Sequence, residues 1–135
     1  LWNTIWEMSK DQSNIFMHEA VDMDVLLEYT ASADIGIYSV INSNPSHDYS
    51  LGNKVFEYIM AGLPIISTDL KGVRDFLPKD FTIFIEKLEA QTIQQAIQQL
   101  DQKPAVQLEQ AIQQFAQTAN WNEEQKKLLN IYAHA

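Results

Sequence analysis

Apolar residues along this chain fall into two patterns. Some form short continuous runs, and others recur every three or four positions. Trp2, Ile5 and Trp6 have helical spacing, which predicts a helix over residues 2–10. The run "NIFMHEA" follows polar "KDQSN" and reads as a strand. In "DMDVLLEYTASA", Leu26, Leu27 and Tyr29 lie among acids, which suits a helix N-terminus. "ADIGIYSV" is a β-branched strand with a glycine in its middle, and "INSNPSHDYS" is an irregular, exposed loop. A helix over "NKVFEYIMA" ends in the glycine stop and buried strand of "GLPIIST". "KGVRDFLPKD" predicts a short helix or turn, and "FTIFIE" a fourth strand.

Two-residue alternation is absent from all four strands. Near-continuous apolar runs separated by helices are the pattern of a parallel sheet covered on both faces. The fold class expected is therefore α/β, a Rossmann-like parallel sheet flanked by helices with a helical C-terminal end.

Composition changes the reading of the last third. Eleven glutamines between Gln91 and Gln117 suggest low complexity, but the apolar residues among them keep helical period. Ile93, Ala96, Ile97 and Leu100 repeat at i, i+3, i+4, i+7, and so do Leu108, Ala111, Ile112 and Phe115. Pro104 separates these two helices, and a third starts near Trp121 with Leu128, Leu129 and Tyr132 on one stripe. Packed helices with glutamine on their wet faces are expected.

The remaining composition mainly excludes. A length of 135 residues suits one domain with a core, and a net charge of −9 argues against nucleic acid as a partner. Seven acids stand against Lys10 alone in residues 1–34, a solvated acidic surface. There is no cysteine, and His18, His47 and His134 form no metal motif, so no metal site is expected. No apolar run approaches the roughly 20 residues that span a bilayer. Because the chain opens on Leu1 within an amphipathic pattern, it reads as starting inside a longer protein.

The polar residues of the "NKVFEYIMA" helix raise the chemical question. At about 100° per residue, Val55, Phe56, Ile59 and Met60 cover a broad side expected to pack on the sheet. Lys54, Glu57, Tyr58 and Ala61 cover the other. Lys54 lies in the first turn, where the helix dipole disfavours a cation. That end of the helix belongs at the carboxyl edge of a parallel sheet, where ligands bind. Two readings fit. The N-terminal N–H groups, the dipole and Lys54 suit an anion such as a diphosphate, with Glu57 accepting from ribose hydroxyls. Alternatively, the two residues form a surface i, i+3 ion pair worth a few tenths of a kcal/mol.

"LLEYTASADIGIY" followed by "SLGNKVFEYIMAGLPIISTD" resembles the C-terminal domain of GT-B-fold, group 1 retaining glycosyltransferases, and the "NWNEEQKKLLNIY" ending fits as well. The resemblance implies a single nucleotide-sugar-binding domain over residues 1–135, truncated at its N-terminus, with the N-terminal acceptor domain absent. It implies a donor substrate, a UDP- or GDP-linked sugar, rather than a tightly bound cofactor. By position, Glu57 would hold the donor ribose, and Lys54 with the backbone of Ser50 to Asn53 would lie by the diphosphate. Lys54 would then stabilise the leaving diphosphate, while the catalytic residues proper remain unassigned.

Many members carry another glutamate eight residues before Glu57, where this chain has Tyr49. "KGVRD" partly echoes the family's glycine-rich loop, so Gly72 and Val73 would offer backbone N–H groups. The resemblance further implies hexosyl transfer in surface polysaccharide or glycolipid synthesis. It points to a cytoplasmic enzyme, with membrane-surface contact at the inner face through the missing half. Two alternatives stand beside it: a GT-B nucleotide-sugar epimerase, and a non-catalytic α/β interaction domain.

Overall fold

The computed structural model describes residues 2–134, and side chains from residue 4 onward. The reading of Leu1 as an internal start lies outside the described residues. Eleven elements follow in order: α1 (Trp2–Ser9), α2 (Met23–Thr30), β1 (Gly36–Tyr38), α3 (Pro45–Asp48), α4 (Asn53–Met60), β2 (Ile65–Thr68), α5 (Lys71–Phe76), β3 (Thr82–Ile85), α6 (Ala90–Asp101), α7 (Ala105–Ala116) and α8 (Trp121–Ala133).

The strands form one parallel sheet in the order β1-β2-β3, with Gly36 opposite Ile65 and Ile65 opposite Thr82. This is the connectivity of one mononucleotide-binding half of a doubly wound sheet. Alternate residues of β2 serve opposite faces. Ile65 joins Tyr38, Val55, Ile59, Val73 and Phe81 in the larger core cluster, beneath α4, α5 and α7. Ile66 joins Ile85, Ala96 and Leu100 on the other face, beneath α6. All four residues of β2 are buried, Ser67 and Thr68 as well as Ile65 and Ile66, so the strand shows no two-residue alternation.

The helix ends follow local chemistry. Asn44 and Asn120 cap α3 and α8, their side chains accepting from the N–H groups of His47 and Glu123 at 3.1 and 3.2 Å. α4 stops as its glycine requires: Gly62 has φ 76°, its N–H donates to Ile59 O, and Leu63 N–H donates to Tyr58 O.

Four expectations need correction. "NIFMHEA" forms no strand, because a strand needs a ladder and no described residue pairs with this run; Ile15 and Phe16 stay exposed. The loop "INSNPSHDYS" is not wholly irregular, since its Asn-Pro step is the N-cap and first position of α3. α8 forms where expected but does not pack by its stripe. Leu128, Leu129 and Tyr132 are exposed, and α8 contributes no described residue to either core cluster, whereas α7 packs Ile112 and Phe115 on the larger one. The packed side of α4 is also different. Val55 and Ile59 are buried, but Phe56 and Met60 are exposed, and the third side chain against the sheet is Tyr58. The contact face runs from Tyr58 through Val55 to Ile59, about 100° of the wheel, which leaves Phe56 at its far margin and turns Met60 out.

All eleven glutamines of residues 91–117 are exposed, while Ala96, Leu100 and Ile112 are buried. The seven acids of residues 1–34 are exposed too. No helix among the described residues is long and apolar enough to cross a membrane.

Candidate functional site

The carboxyl edge of the sheet is assembled from the segment after β1, the start of α4 and the start of α5. β1 ends in Tyr38, whose ring is buried and whose hydroxyl accepts from the Gly52 N–H at 3.2 Å. That bond fixes the residue preceding α4. β2 ends in Thr68, whose hydroxyl oxygen accepts from Val40 N–H at 3.1 Å and so steers the chain leaving β1.

The loop from Ile41 to Leu51 is then tied down along its length. The His47 Nδ1 lies 3.1 Å from Ile41 O and 3.2 Å from Ser43 Oγ. An Asp48 carboxylate oxygen accepts from the Lys71 backbone N–H at 3.0 Å and from Asn42 Nδ2 at 3.3 Å. Through Asp48, the loop after β1 is attached to the first residue of α5.

α4 starts at Asn53 with Gly52 as its N-cap, so no side chain satisfies its first-turn N–H groups. Lys54 and Glu57 project from this turn on the side away from Val55. They meet each other: Lys54 Nζ is 2.7 Å from Glu57 Oε2. The lysine side chain is 56% exposed and the glutamate 26%, so the pair lies at the surface with its acid partly sheltered. Ser50, half-buried, donates its backbone N–H to His47 O at 3.1 Å just before the helix, and Asn53 is exposed at its first position.

Gly72 and Val73 stand on α5 behind the loop. A Cβ on Gly72 would lie 2.7 Å from the Tyr49 carbonyl oxygen, so the two backbones are in direct contact. The Val73 side chain is fully buried in the core. Tyr49 itself is exposed, and the Lys71 ammonium lies 5.7 Å from its ring centre. Lys71 also pairs with Asp75 at 2.6 Å, and that hydrogen bond raises its pKa above the ordinary value. Arg74 pairs with Asp69.

The geometry therefore unites Lys54 with Glu57, sets Ser50 and Asn53 beside them at one helix start, and gives Gly72 the backbone of Tyr49 as neighbour. Tyr38 and Tyr58 carry no readable signal in the sequence as residues of this edge. Asp48 carries only a hint, since the Asn-Pro cap predicts a turn just before it. Among the described residues, no group of three or more His, Cys, Asp or Glu is placed to hold a metal ion. A groove of about 1260 Å³ lies on the other flank of α4, lined by Phe56, Met60, Phe76 and Trp121 among others. Neither Lys54 nor Glu57 lines it.

A parallel three-stranded sheet with helices on both faces, and polar side chains gathered at its carboxyl edge, defines a Rossmann-like α/β protein. The family model described as glycosyl transferases, group 1, matches residues 4–103. The chain belongs to that family of glycosyltransferases. No curated protein and no solved structure matches it significantly.

Proposed function

We propose that the chain is the donor-binding domain of a retaining, GT-B-type glycosyltransferase that takes its sugar from a nucleoside diphosphate. The supporting observation is the position of Lys54 and Glu57 in a group 1 glycosyltransferase chain, on the outer side of α4 at the carboxyl edge of the sheet. The diphosphate would meet Lys54 and the uncapped N–H groups at Asn53 and Lys54, while ribose hydroxyls would donate to Glu57. Ser50 and the backbone at Gly72 and Val73 would line the approach.

Lys54 would act chiefly on the leaving group, by holding the charge that develops on the diphosphate. For that, it must exchange Glu57 for phosphate. The ion pair does not oppose this strongly, because an exposed i, i+3 pair contributes only a few tenths of a kcal/mol. The acceptor, the catalytic residues and the rest of the cleft belong to a second domain in this reading. The sugar donor is a substrate, UDP- or GDP-linked, and no tightly bound cofactor is required. Synthesis of a surface polysaccharide or glycolipid, in the cytoplasm against the inner membrane face, is the setting we assign.

Ligand-observed saturation-transfer NMR on the full-length protein with UDP, GDP and ADP tests the site. Transfer to one nucleotide is expected, lost in Glu57→Ala. Equal transfer in the mutant would remove Glu57 from the site, and no transfer to any nucleotide would remove the donor-binding function.

A further inference from the structure

α4 packs on β1, α2 and α7, but few of its side chains fix its rotation. Its buried side chains are Val55 and Ile59, two aliphatic residues that fit a core at several helix rotations. Its N-cap is a glycine, and Phe56 and Met60 are exposed. Rotation matters because Lys54 and Glu57 project from the helix surface. Turning a helix by about 20° carries a side-chain tip, about 6 Å from the axis, through about 2 Å.

Tyr58 supplies the missing constraint. Its ring lies directly on the backbone of β1 at Gly36, where an added Cβ would sit 2.5 to 2.8 Å from three ring atoms. Its hydroxyl donates to Ile37 O at 3.2 Å. Gly36 N–H donates to Pro64 O on the β2 side, so alternation turns the Ile37 carbonyl to the free edge of β1. Tyr58 thus reaches past the sheet edge and grips it from outside, one position after Glu57 and one turn after Lys54. A planar ring lying on a bare backbone, with its hydroxyl tethered at the far end, resists rotation of the helix in either direction.

We infer that Tyr58 is a positioning residue of the donor site, setting the angle at which α4 presents Lys54 and Glu57. The inference rests on the donor-site reading above and assigns Tyr58 no contact with the substrate. Gly36 is its counterpart: only a residue without a side chain leaves room for the ring. Phe56, packed on Phe76 with ring centres 5.3 Å apart, steadies the opposite flank but touches neither polar residue's side of the helix.

The test measures affinity for the nucleoside diphosphate that the full-length wild-type protein binds, alongside thermal stability. Measurements are made well below each variant's midpoint. Tyr58→Phe keeps the ring and is expected to bind within about threefold of wild type. Tyr58→Ala frees the helix and is expected to bind about tenfold more weakly or worse, with the protein still folded. Gly36→Ala displaces the ring and should weaken binding similarly, yet add little in a Tyr58→Ala background, because both act on one contact.

Wild-type affinity in folded Tyr58→Ala would overturn the inference, whatever its loss of stability. So would additive losses in the double variant. If Tyr58→Ala does not fold, Tyr58→Leu replaces it, filling the space without a planar ring or a tether, and weakened binding is again expected. A wild-type protein that binds no nucleoside diphosphate would sink the donor-site reading itself, and this role with it.

Discussion

Tyr38→Phe isolates one hydrogen bond at the base of the site. The phenol ring is 8% exposed and belongs to the main core cluster, so phenylalanine keeps its packing and volume. What disappears is the acceptor of the Gly52 N–H, 3.2 Å away. A neutral hydrogen bond contributes about 0.5–1.5 kcal/mol net, and a buried donor left unpaired costs about 1–3 kcal/mol. Gly52 is half-buried, so water reaches it in part. The expected loss is about 1 kcal/mol.

For a chain of 135 residues that corresponds to a fall in Tm of about 3–5 °C. Urea unfolding followed by tryptophan fluorescence measures it, with an unchanged m-value as the sign that only stability moved. Tyr49→Phe is the control: its ring is 65% exposed, and a change below about 0.5 kcal/mol is expected. Equal stability of Tyr38→Phe and wild type would refute the reasoning. It would mean that Gly52 is not held by Tyr38 and that the entry to α4 is fixed in another way.

Two further outcomes follow from backbone geometry and burial. Gly62→Ala should cost about 1–2 kcal/mol through φ alone, since an added Cβ meets nothing within 4 Å; an unchanged urea midpoint would contradict the left-handed stop of α4. The Tyr58 phenol has its pKa raised above the ordinary 10.0, chiefly by burial, with Lys54 lowering it and Glu57 raising it. In this direction the folded state holds its proton more tightly than the unfolded one, so stability is intact below pH ~10 and falls as pH rises beyond it. Absorbance titration of the phenolates should contain a late component that Tyr58→Phe removes; its persistence in that variant would assign it elsewhere.

Much of the fold is written in local patterns. β2 and β3, the glycine stop at Gly62 and the three helices of the last third follow from apolar spacing and turn residues, and each depends on neighbours within a few positions. The juxtaposition of Lys54 and Glu57 is equally local, because i, i+3 spacing alone brings two side chains together on a helix. What was not legible depends on distant partners. "NIFMHEA" has strand composition, but composition does not create a ladder. The packed side of α4 differs from the wheel's because Tyr58 falls there among Lys54 and Glu57. Its burial is decided by a missing side chain on Gly36, 22 positions earlier. Asp48 and Tyr38 matter through bonds to Lys71 and Gly52, and no helical or strand period relates those positions.

The close fit of Tyr58 on Gly36 also constrains the order in which the two positions can change over generations. Any side chain arriving first at 36 meets an aromatic ring at 2.5 Å, so that route passes through an intermediate whose Tyr58 ring is displaced and whose α4 is loosened. Shrinking residue 58 first leaves a gap, which a stable protein can survive, and a larger residue at 36 can then fill it. Lineages that diverge from this chain should therefore change the helix before the strand. Where residue 36 carries a bulky side chain, residue 58 should be small.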